Sequence, residues 1–150
     1  MKYDDASWHY GGDFPADLPN ENGATHIGMF LAWCIENDLI SDWLQEEAEE
    51  EIQQVKEGKL SGVDFLISVC DEKLLDDDLS EIGNAFAQDY YENDTDFGEK
   101  FGSYMGDYIN TLDREEMESL YEVENTPENY QLLKKVINKR FQDWKNYKKM

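Results

Sequence analysis

The two histidines and two cysteines of the chain are the first candidates for metal binding or nucleophilic catalysis. His9 and His26 lie 17 positions apart, and Cys34 and Cys70 lie singly in apolar segments. Zinc sites usually take such ligands from close pairs, as in CxxC or HExxH, and neither motif occurs here. A thiol on an apolar helix face is also a poor nucleophile, because burial raises its pKa. The spacing therefore predicts no catalytic residue, no metal site and no cofactor.

Motifs for calcium and phosphate binding are also missing. Counting from Asp94, an EF-hand loop needs Gly at position six and Glu at position twelve, but Gly98 is fifth and Met105 is twelfth. The pair Gly11-Gly12 lacks the lysine and hydroxyl residue of a P-loop, and no GxGxxG occurs. With 35 acidic residues in the chain, any single pair of carboxylates carries little information about acid–base catalysis.

The stretch WHYGGDFPADLPNENGATH, residues 8–26, holds both histidines and leaves two interpretations open. It is either a loop that contributes to a pocket lined by Trp8, His9, His26 and Trp33, or a strap that only positions the first helix. The strap is favoured, because histidines near a helix start more often hydrogen-bond locally than catalyse.

Proline shapes this N-terminal segment. Pro15 and Pro19 each restrict the preceding residue to extended backbone, so residues 1–20 are expected to be irregular. The aromatic side chains Tyr3, Trp8 and Phe14 would be costly to leave in water. We therefore expect an irregular strap packed on the body of the protein.

Apolar residues recur at helical spacing through the rest of the chain. Residues 22–36 are predicted to form the first helix, and the positions i, i+3, i+4, i+7 and i+8 are Ile27, Phe30, Leu31, Cys34 and Ile35. Ser41 and Ser61 are typical N-caps of the next two helices, and Thr126 with Pro127 begins the last one. Residues 96–112 read as one helix, and residues 119–125 as a short strand or an extended linker.

The expected architecture is a single compact all-α domain over residues 1–150. It contains five or six helices after the strap of residues 1–20, and almost no strand.

Charge is the most unusual bulk property, with 13 basic and 35 acidic residues and a net charge of -22. Residues 126–150 contain seven basic and two acidic side chains and carry +5, so residues 1–125 carry -27. Such a body repels nucleic acid and anionic membranes and attracts basic proteins. We therefore expect a protein partner and neither a nucleic-acid nor a membrane partner. The plainer alternative is that acidity only keeps the protein soluble.

The cellular location is inferred from the expected absence of a signal peptide and of a membrane span, and from the two cysteines. The residues after Met1 lack the apolar core of a signal peptide, and no apolar run reaches the length of a membrane span. Two cysteines in apolar segments read as free thiols of a reducing compartment. A cytoplasmic protein is the prediction.

The opening YDDASWHYGGDFPADLPNENGATHIGMFLAWCIENDLIS resembles a family of small, acidic, bacterial cytosolic proteins that carry a domain of unknown function. Members share a YDDASWHY-like start and a THIGMFLAW-like beginning of the first helix; Gly23 stands where alanine is expected. The resemblance is dense over the first 45 or so residues. It implies a bacterial, single-domain protein and brings no catalytic residues with it.

The leading functional hypothesis is a non-enzymatic binding protein, an immunity-type antidote that neutralises a basic toxin domain such as a nuclease. Small size, high acidity and the lack of a catalytic motif support it. The expected toxin-facing acids are Glu36, Asp38, Asp42, Glu46, Glu47 and Glu50.

Two alternatives stay open. One is a small enzyme or ligand-binding protein that uses the pocket near Trp8, His9, His26 and Trp33. The other is self-association, in which the basic C-terminal helix of one copy docks on the acidic body of another.

Overall fold

The computed structural model describes residues 2–12, 14–112 and 119–149. It is mostly helical, as predicted, with one small antiparallel sheet. The elements are β1 (Lys2–Asp5), α1 (Ala6–Tyr10), a 3₁₀ turn (Asn20–Ala24), α2 (Thr25–Glu36), α3 (Asp42–Glu47), α4 (Glu49–Lys56), α5 (Gly62–Val69), β2 (Lys73–Leu75), a 3₁₀ turn (Asp76–Asp78), α6 (Glu81–Tyr90), α7 (Asp96–Lys100), α8 (Tyr104–Leu112), a 3₁₀ turn (Leu120–Glu122) and α9 (Pro127–Lys148).

Helix α2 is the centre of the fold. Its residues from Thr25 to Ile35 are all buried, as expected for a helix surrounded by other elements on every side. It packs against α4, α5 and α9. The approach to α5 is close because Gly28 and Gly62 face each other, and a Cβ on either would collide with backbone of the other helix. This packing fixes the start of α2, where His26 lies.

Aromatic side chains fill the space between α2, α6, α8 and α9. Phe86 stacks on Tyr90 with ring centroids 5.0 Å apart, and Tyr91 stacks on Tyr104 at the same distance. Such pairs add about 0.5–1.5 kcal/mol each to the stability that burial supplies. These aromatic side chains between the helices therefore belong to the core, as their helical spacing predicts.

The predicted helix starts are confirmed at the caps. The hydroxyl of Ser41 accepts a hydrogen bond from the Leu44 amide, and that of Ser61 accepts one from the Asp64 amide. Thr126 caps α9 in the same way, with Pro127 in the first turn. In each case a short side-chain acceptor satisfies an amide that the helix leaves unpaired.

The N-terminal strap differs from the prediction over its first half. Residues expected to be irregular form β1 and α1, and β1 pairs with β2. The two strands are only four and three residues long, so the strand content of the described residues is low, as predicted. The Asp5 carboxylate accepts a hydrogen bond from the Ser7 amide and so caps α1. Pro15 and Pro19 affect the backbone only in the second half of the strap, where residues 14–19 form neither helix nor strand.

Two predicted helices are each interrupted. The helix after Ser41 breaks at Ala48, whose φ of -132° is outside the helical range, and its halves pack on different partners: α3 on the 3₁₀ turn Asp76–Asp78, α4 on α2. The helix predicted over residues 96–112 breaks at Gly102, which has a φ of 134°. The Arg140 guanidinium lies against Gly102, where a side chain would stand in its way.

Residues 119–125 are neither a strand nor a simple linker. Residues Leu120–Glu122 form a 3₁₀ turn, in which the Ser119 hydroxyl accepts a hydrogen bond from the Tyr121 amide and the Glu122 carboxylate accepts one from the Ser119 amide. These local bonds place Tyr121 beside the N-terminal histidines.

Candidate functional site

The buried carboxylate of Asp4 accepts hydrogen bonds from four groups. Its Oδ1 lies 2.7 Å from His9 Nε2 and accepts from the Asp5 amide at 2.8 Å. Its Oδ2 lies 3.0 Å from His26 Nε2 and accepts from the Tyr91 hydroxyl at 2.6 Å. We call Asp4, His9, His26 and Tyr91 the Asp4 centre. It joins residues that are up to 87 positions apart in the chain.

Each member of the Asp4 centre is positioned by a different element. Pairing of β1 with β2 sets Asp4 opposite Leu74, on the buried side of the sheet. Helix α1 begins directly after β1, so His9 on that helix turns back towards Asp4. His26 lies in the first turn of α2, and Tyr91 directly follows α6.

The electrostatics of the Asp4 centre favour a charged carboxylate between two imidazoles. Burial alone would raise the pKa of Asp4, but hydrogen bonds to His26 and His9 hold it well below its usual range. Burial of His26 lowers the pKa of its imidazole, although Asp4 opposes that effect. Burial, with the charge of Asp4, keeps the pKa of Tyr91 well above its usual value, so its hydroxyl stays a donor.

Further side chains orient the histidines. The Tyr121 hydroxyl lies 2.7 Å from His9 Nδ1, and the His9 and His26 rings meet edge to face at 4.4 Å. The Tyr104 hydroxyl donates to the backbone carbonyl of His26 at 2.5 Å. Two buried polar atoms, His26 Nδ1 and the Tyr108 hydroxyl, have no hydrogen-bond partner among the residues that the structure describes.

The residues of the predicted pocket separate into three places. His9 and His26 come together at the Asp4 centre, whereas the Trp8 side chain points outward, is 54% exposed and lies beneath the Lys2 ammonium. Trp33 is wholly buried about two turns further along α2, where its indole N–H donates to Asn138. Within the described ranges, the structure thus brings the two histidines together without the tryptophans.

Sequence reasoning missed Asp4, Tyr91 and Tyr121. A signal for Asp4 is present in retrospect: it precedes the helix that carries His9 by only two residues. Nothing in the sequence marks Tyr91 or Tyr121 among nine tyrosines, because their place depends on how α6 and the turn Leu120–Glu122 pack.

The predicted binding acids occupy two different environments. Asp42, Glu46, Glu47 and Glu50 are exposed on α3 and α4, and their side chains form no hydrogen bond or ion pair with any described residue. Trp43 lies among them with 57% of its surface exposed. We call these five residues the acidic surface.

Glu36 and Asp38 are engaged elsewhere. Glu36 accepts hydrogen bonds from the Tyr130 hydroxyl and the Lys134 ammonium, both at 2.6 Å, and lines a cleft of about 350 Å³ between α2, α9 and the loop before α5. The exposed Asp38 carboxylate pairs with Lys56 at 2.8 Å. These two acids therefore differ from the four on α3 and α4.

Three basic residues of α9 pair with acids from other elements of the same chain. Besides Lys134 with Glu36, Arg140 makes a bidentate pair with Asp107 at 2.9 and 3.1 Å, and Lys148 lies 3.0 Å from Asp89. The C-terminal helix therefore docks on the acidic body within one molecule, which is the contact that the self-association hypothesis placed between copies.

The cysteines are free, as predicted. Burial raises the pKa of Cys34 far above its usual value, and that of Cys70 to about 12. Neither is a ready nucleophile at neutral pH.

No helix in the described part of the chain combines the length and the apolar character that crossing a bilayer requires. A search of curated proteins and a search of solved structures each returned no match to the chain. Residues 2–123 match the family described as domain of unknown function (DUF7832). The matched region contains both the Asp4 centre and the acidic surface and ends before α9. The chain belongs to this family, which is the kind of family that its N-terminal sequence resembles.

Proposed function

We propose that this protein is a binding protein that captures a basic protein partner through the acidic surface. One observation carries the proposal: an exposed tryptophan, Trp43, lies among four carboxylates that have no partner among the described residues. Unpaired charge gives fast, salt-sensitive association, and a solvent-exposed aromatic ring supplies the apolar contact that the charges lack.

The contrast with other acids of the chain supports this surface. Glu36, Asp89 and Asp107 are each held by a basic residue of α9, so their charge is partly neutralised within the molecule. Glu46 and Glu47 have no such counterion in the described ranges. Their charge is therefore available to a second molecule.

Trp43 offers an exposed apolar side chain to a partner. Tryptophan is enriched among the residues that dominate binding energy, and the carboxylates of the same surface disfavour acidic partners. The neighbouring Leu44 is buried and anchors α3 to the body. Trp43 is thus displayed on a fixed helix, which keeps the entropic cost of binding low.

The specific form of this proposal is an antidote that covers the basic cleft of a toxin domain. A nuclease cleft is lined with lysine and arginine side chains that hold phosphates. The carboxylates of an acidic surface can take the positions of those phosphates. The family match leaves this function open, so the support for it is charge and exposure alone.

The test is capture followed by measurement with purified partners. Tagged protein is incubated with lysate of the source cell at low and high salt, and any basic protein retained at low salt is purified and titrated calorimetrically. We expect a triple variant, Trp43→Ala with Glu46→Lys and Glu47→Lys, to lose at least about tenfold in affinity, since an anchor residue alone is worth about 2 kcal/mol. Growth arrest by the partner, relieved by co-expression, would establish the antidote form.

A matched control separates the surface from bulk charge. Asp17→Lys with Glu99→Lys makes the same change in net charge at exposed positions away from α3 and α4. This variant should keep most of its affinity. Equal losses in both variants would mean that only net charge matters, and no loss in the triple variant would refute this choice of surface.

A second candidate function is ligand binding at the Asp4 centre. The observation in its favour is that His9 and His26, expected to line a pocket, meet at one buried carboxylate. Trp8 and Trp33 take no part in it.

A further inference from the structure

We propose that Asp4, His9 and His26 bind one divalent transition-metal ion of the zinc class. This site is independent of the proposed partner surface on α3 and α4. It differs from the expectation drawn from sequence, in which two histidines 17 positions apart gave no metal motif.

Geometry is the first support. One nitrogen of each histidine and one oxygen of Asp4 all lie within 4.8 Å of one another. In a tetrahedral zinc site with bonds of about 2.0–2.1 Å, neighbouring ligand atoms are about 3.3 Å apart. His9 Nε2 lies 2.7 Å from Asp4 Oδ1 and His26 Nε2 lies 3.0 Å from Asp4 Oδ2, so each imidazole is within a few tenths of an ångström of that spacing from one of the two carboxylate oxygens.

The type and orientation of the donors also fit. Both histidines direct the same nitrogen, Nε2, at the Asp4 carboxylate. A cation placed there would take the positions of the two Nε2 protons, and each proton would move to Nδ1 of its own ring, so that both histidines bind as neutral imidazoles. Two imidazoles and one carboxylate suit zinc, and three protein ligands leave a fourth position open. Calcium and magnesium prefer oxygen ligands and are therefore disfavoured.

Surrounding contacts hold the ligands in place. His9 Nδ1 is engaged by the Tyr121 hydroxyl at 2.7 Å, which is the outer contact that metal-bound histidines usually make. Tyr91 fixes Asp4 from a further side at 2.6 Å. His26 Nδ1 is wholly buried and has no partner in the described ranges, so here the outer contact is missing.

Charge favours a cation at this position. The Asp4 carboxylate is buried, and the two side chains that form ion pairs with it are histidines rather than lysine or arginine. The centre lies in the part of the sequence that carries -27. An ion bound there would tie β1, α1 and α2 together, so it should raise the stability of the fold.

The experiment is a titration of the full chain with Zn²⁺ after removal of metals by EDTA and gel filtration. We expect one ion per chain by calorimetry, and a rise in melting temperature that EDTA reverses. His9 is the side chain to remove first, because it is partly exposed and its loss leaves the core of α2 intact. His9→Ala should weaken binding about 100-fold or more, and Tyr121→Phe about tenfold through the lost outer contact.

Controls keep the result interpretable. Glu46→Gln with Glu47→Gln removes two exposed carboxylates and should leave the one-to-one binding unchanged, and circular dichroism must show that His9→Ala is folded. Absence of one-to-one binding to the wild type would overturn the proposal. So would unchanged affinity in a folded His9→Ala chain, because the ion would then lie on the acidic surface or elsewhere.

Discussion

The Asp4 centre and the acidic surface use the same functional group in opposite ways. At the Asp4 centre one buried carboxylate accepts hydrogen bonds from two imidazoles, a hydroxyl and a backbone amide. On the acidic surface four carboxylates lie in water without partners in the described ranges. A buried charge contributes to stability only when it is fully hydrogen-bonded, whereas an exposed charge contributes little to it.

This difference separates a region that stabilises the fold from a region that is proposed to bind a partner. The Asp4 centre holds the N-terminal strand and α1 against α2 and α6, so its loss should be felt through the fold. The acidic surface projects from α3 and α4, and its loss should be felt by a partner. Variants in the two regions test that division.

Asp4→Ala should destabilise the protein by about 3–5 kcal/mol, because it leaves several buried donors without an acceptor. The measurement is the free energy of unfolding in urea, in buffer with EDTA. Glu46→Ala, the removal of one exposed acid, should change the same quantity by less than about 0.5 kcal/mol. Similar values for the two variants would remove the distinction between the regions.

His26→Gln should reduce the dependence of stability on pH. The pKa of His26 is lowered in the folded state, so below its usual value of 6.5 the unfolded chain binds the proton more readily than the folded chain. Wild-type stability should therefore be complete above pH 6.5 and fall below it, by at most about 1.4 kcal/mol per pH unit.

The pH series is measured by urea unfolding between pH 7.5 and 5, in buffer with EDTA, at about half-unit steps. His26→Gln should be flatter over this window, since both proteins share all other titrating groups. Asp4 causes a second loss of stability only at lower pH. The pKa of its carboxylate is lowered in the folded state, so its contribution to stability is complete above the usual value of 3.8 and is lost as the pH falls below that value. Parallel curves for the two proteins would show that His26 is not held neutral.

Glu47→Lys should slightly stabilise the protein, which is the smallest effect expected. Glu47 lies close in sequence to Glu46, Glu49 and Glu50, so reversing its charge should relieve repulsion between like charges. Reversal should add about 0.2–0.5 kcal/mol at low salt and less at high salt. The check is thermal unfolding at two salt concentrations; a clear loss of stability would mean that Glu47 serves the fold.

Much of the fold follows from local sequence patterns. The apolar spacing of residues 22–36 identifies α2, and Ser41, Ser61 and Thr126 mark helix starts because their caps are made within three residues. The mostly helical class and the free cysteines follow in the same way. These features depend on neighbours in the chain, so one sequence is enough to predict them.

Other local signals were outweighed by packing. Ala48 is a good helix former, yet the chain bends there because α3 and α4 pack on different partners. Residues 2–10 lack strong signals, and β1 exists only because β2, about 70 positions away, pairs with it. Propensity is a weak guide where such contacts supply more free energy than the local preference.

Local patterns in the sequence are enough to predict the helical class, the helix caps, the free thiols and the excess of acid on α3 and α4. Which acid is buried and which histidines meet depend on how distant parts of the chain pack. Asp4, His9 and His26 converge through three elements, and Tyr91 arrives from a fourth. Burial and convergence are properties of long-range packing, so nothing in the spacing of these residues along the chain specifies them.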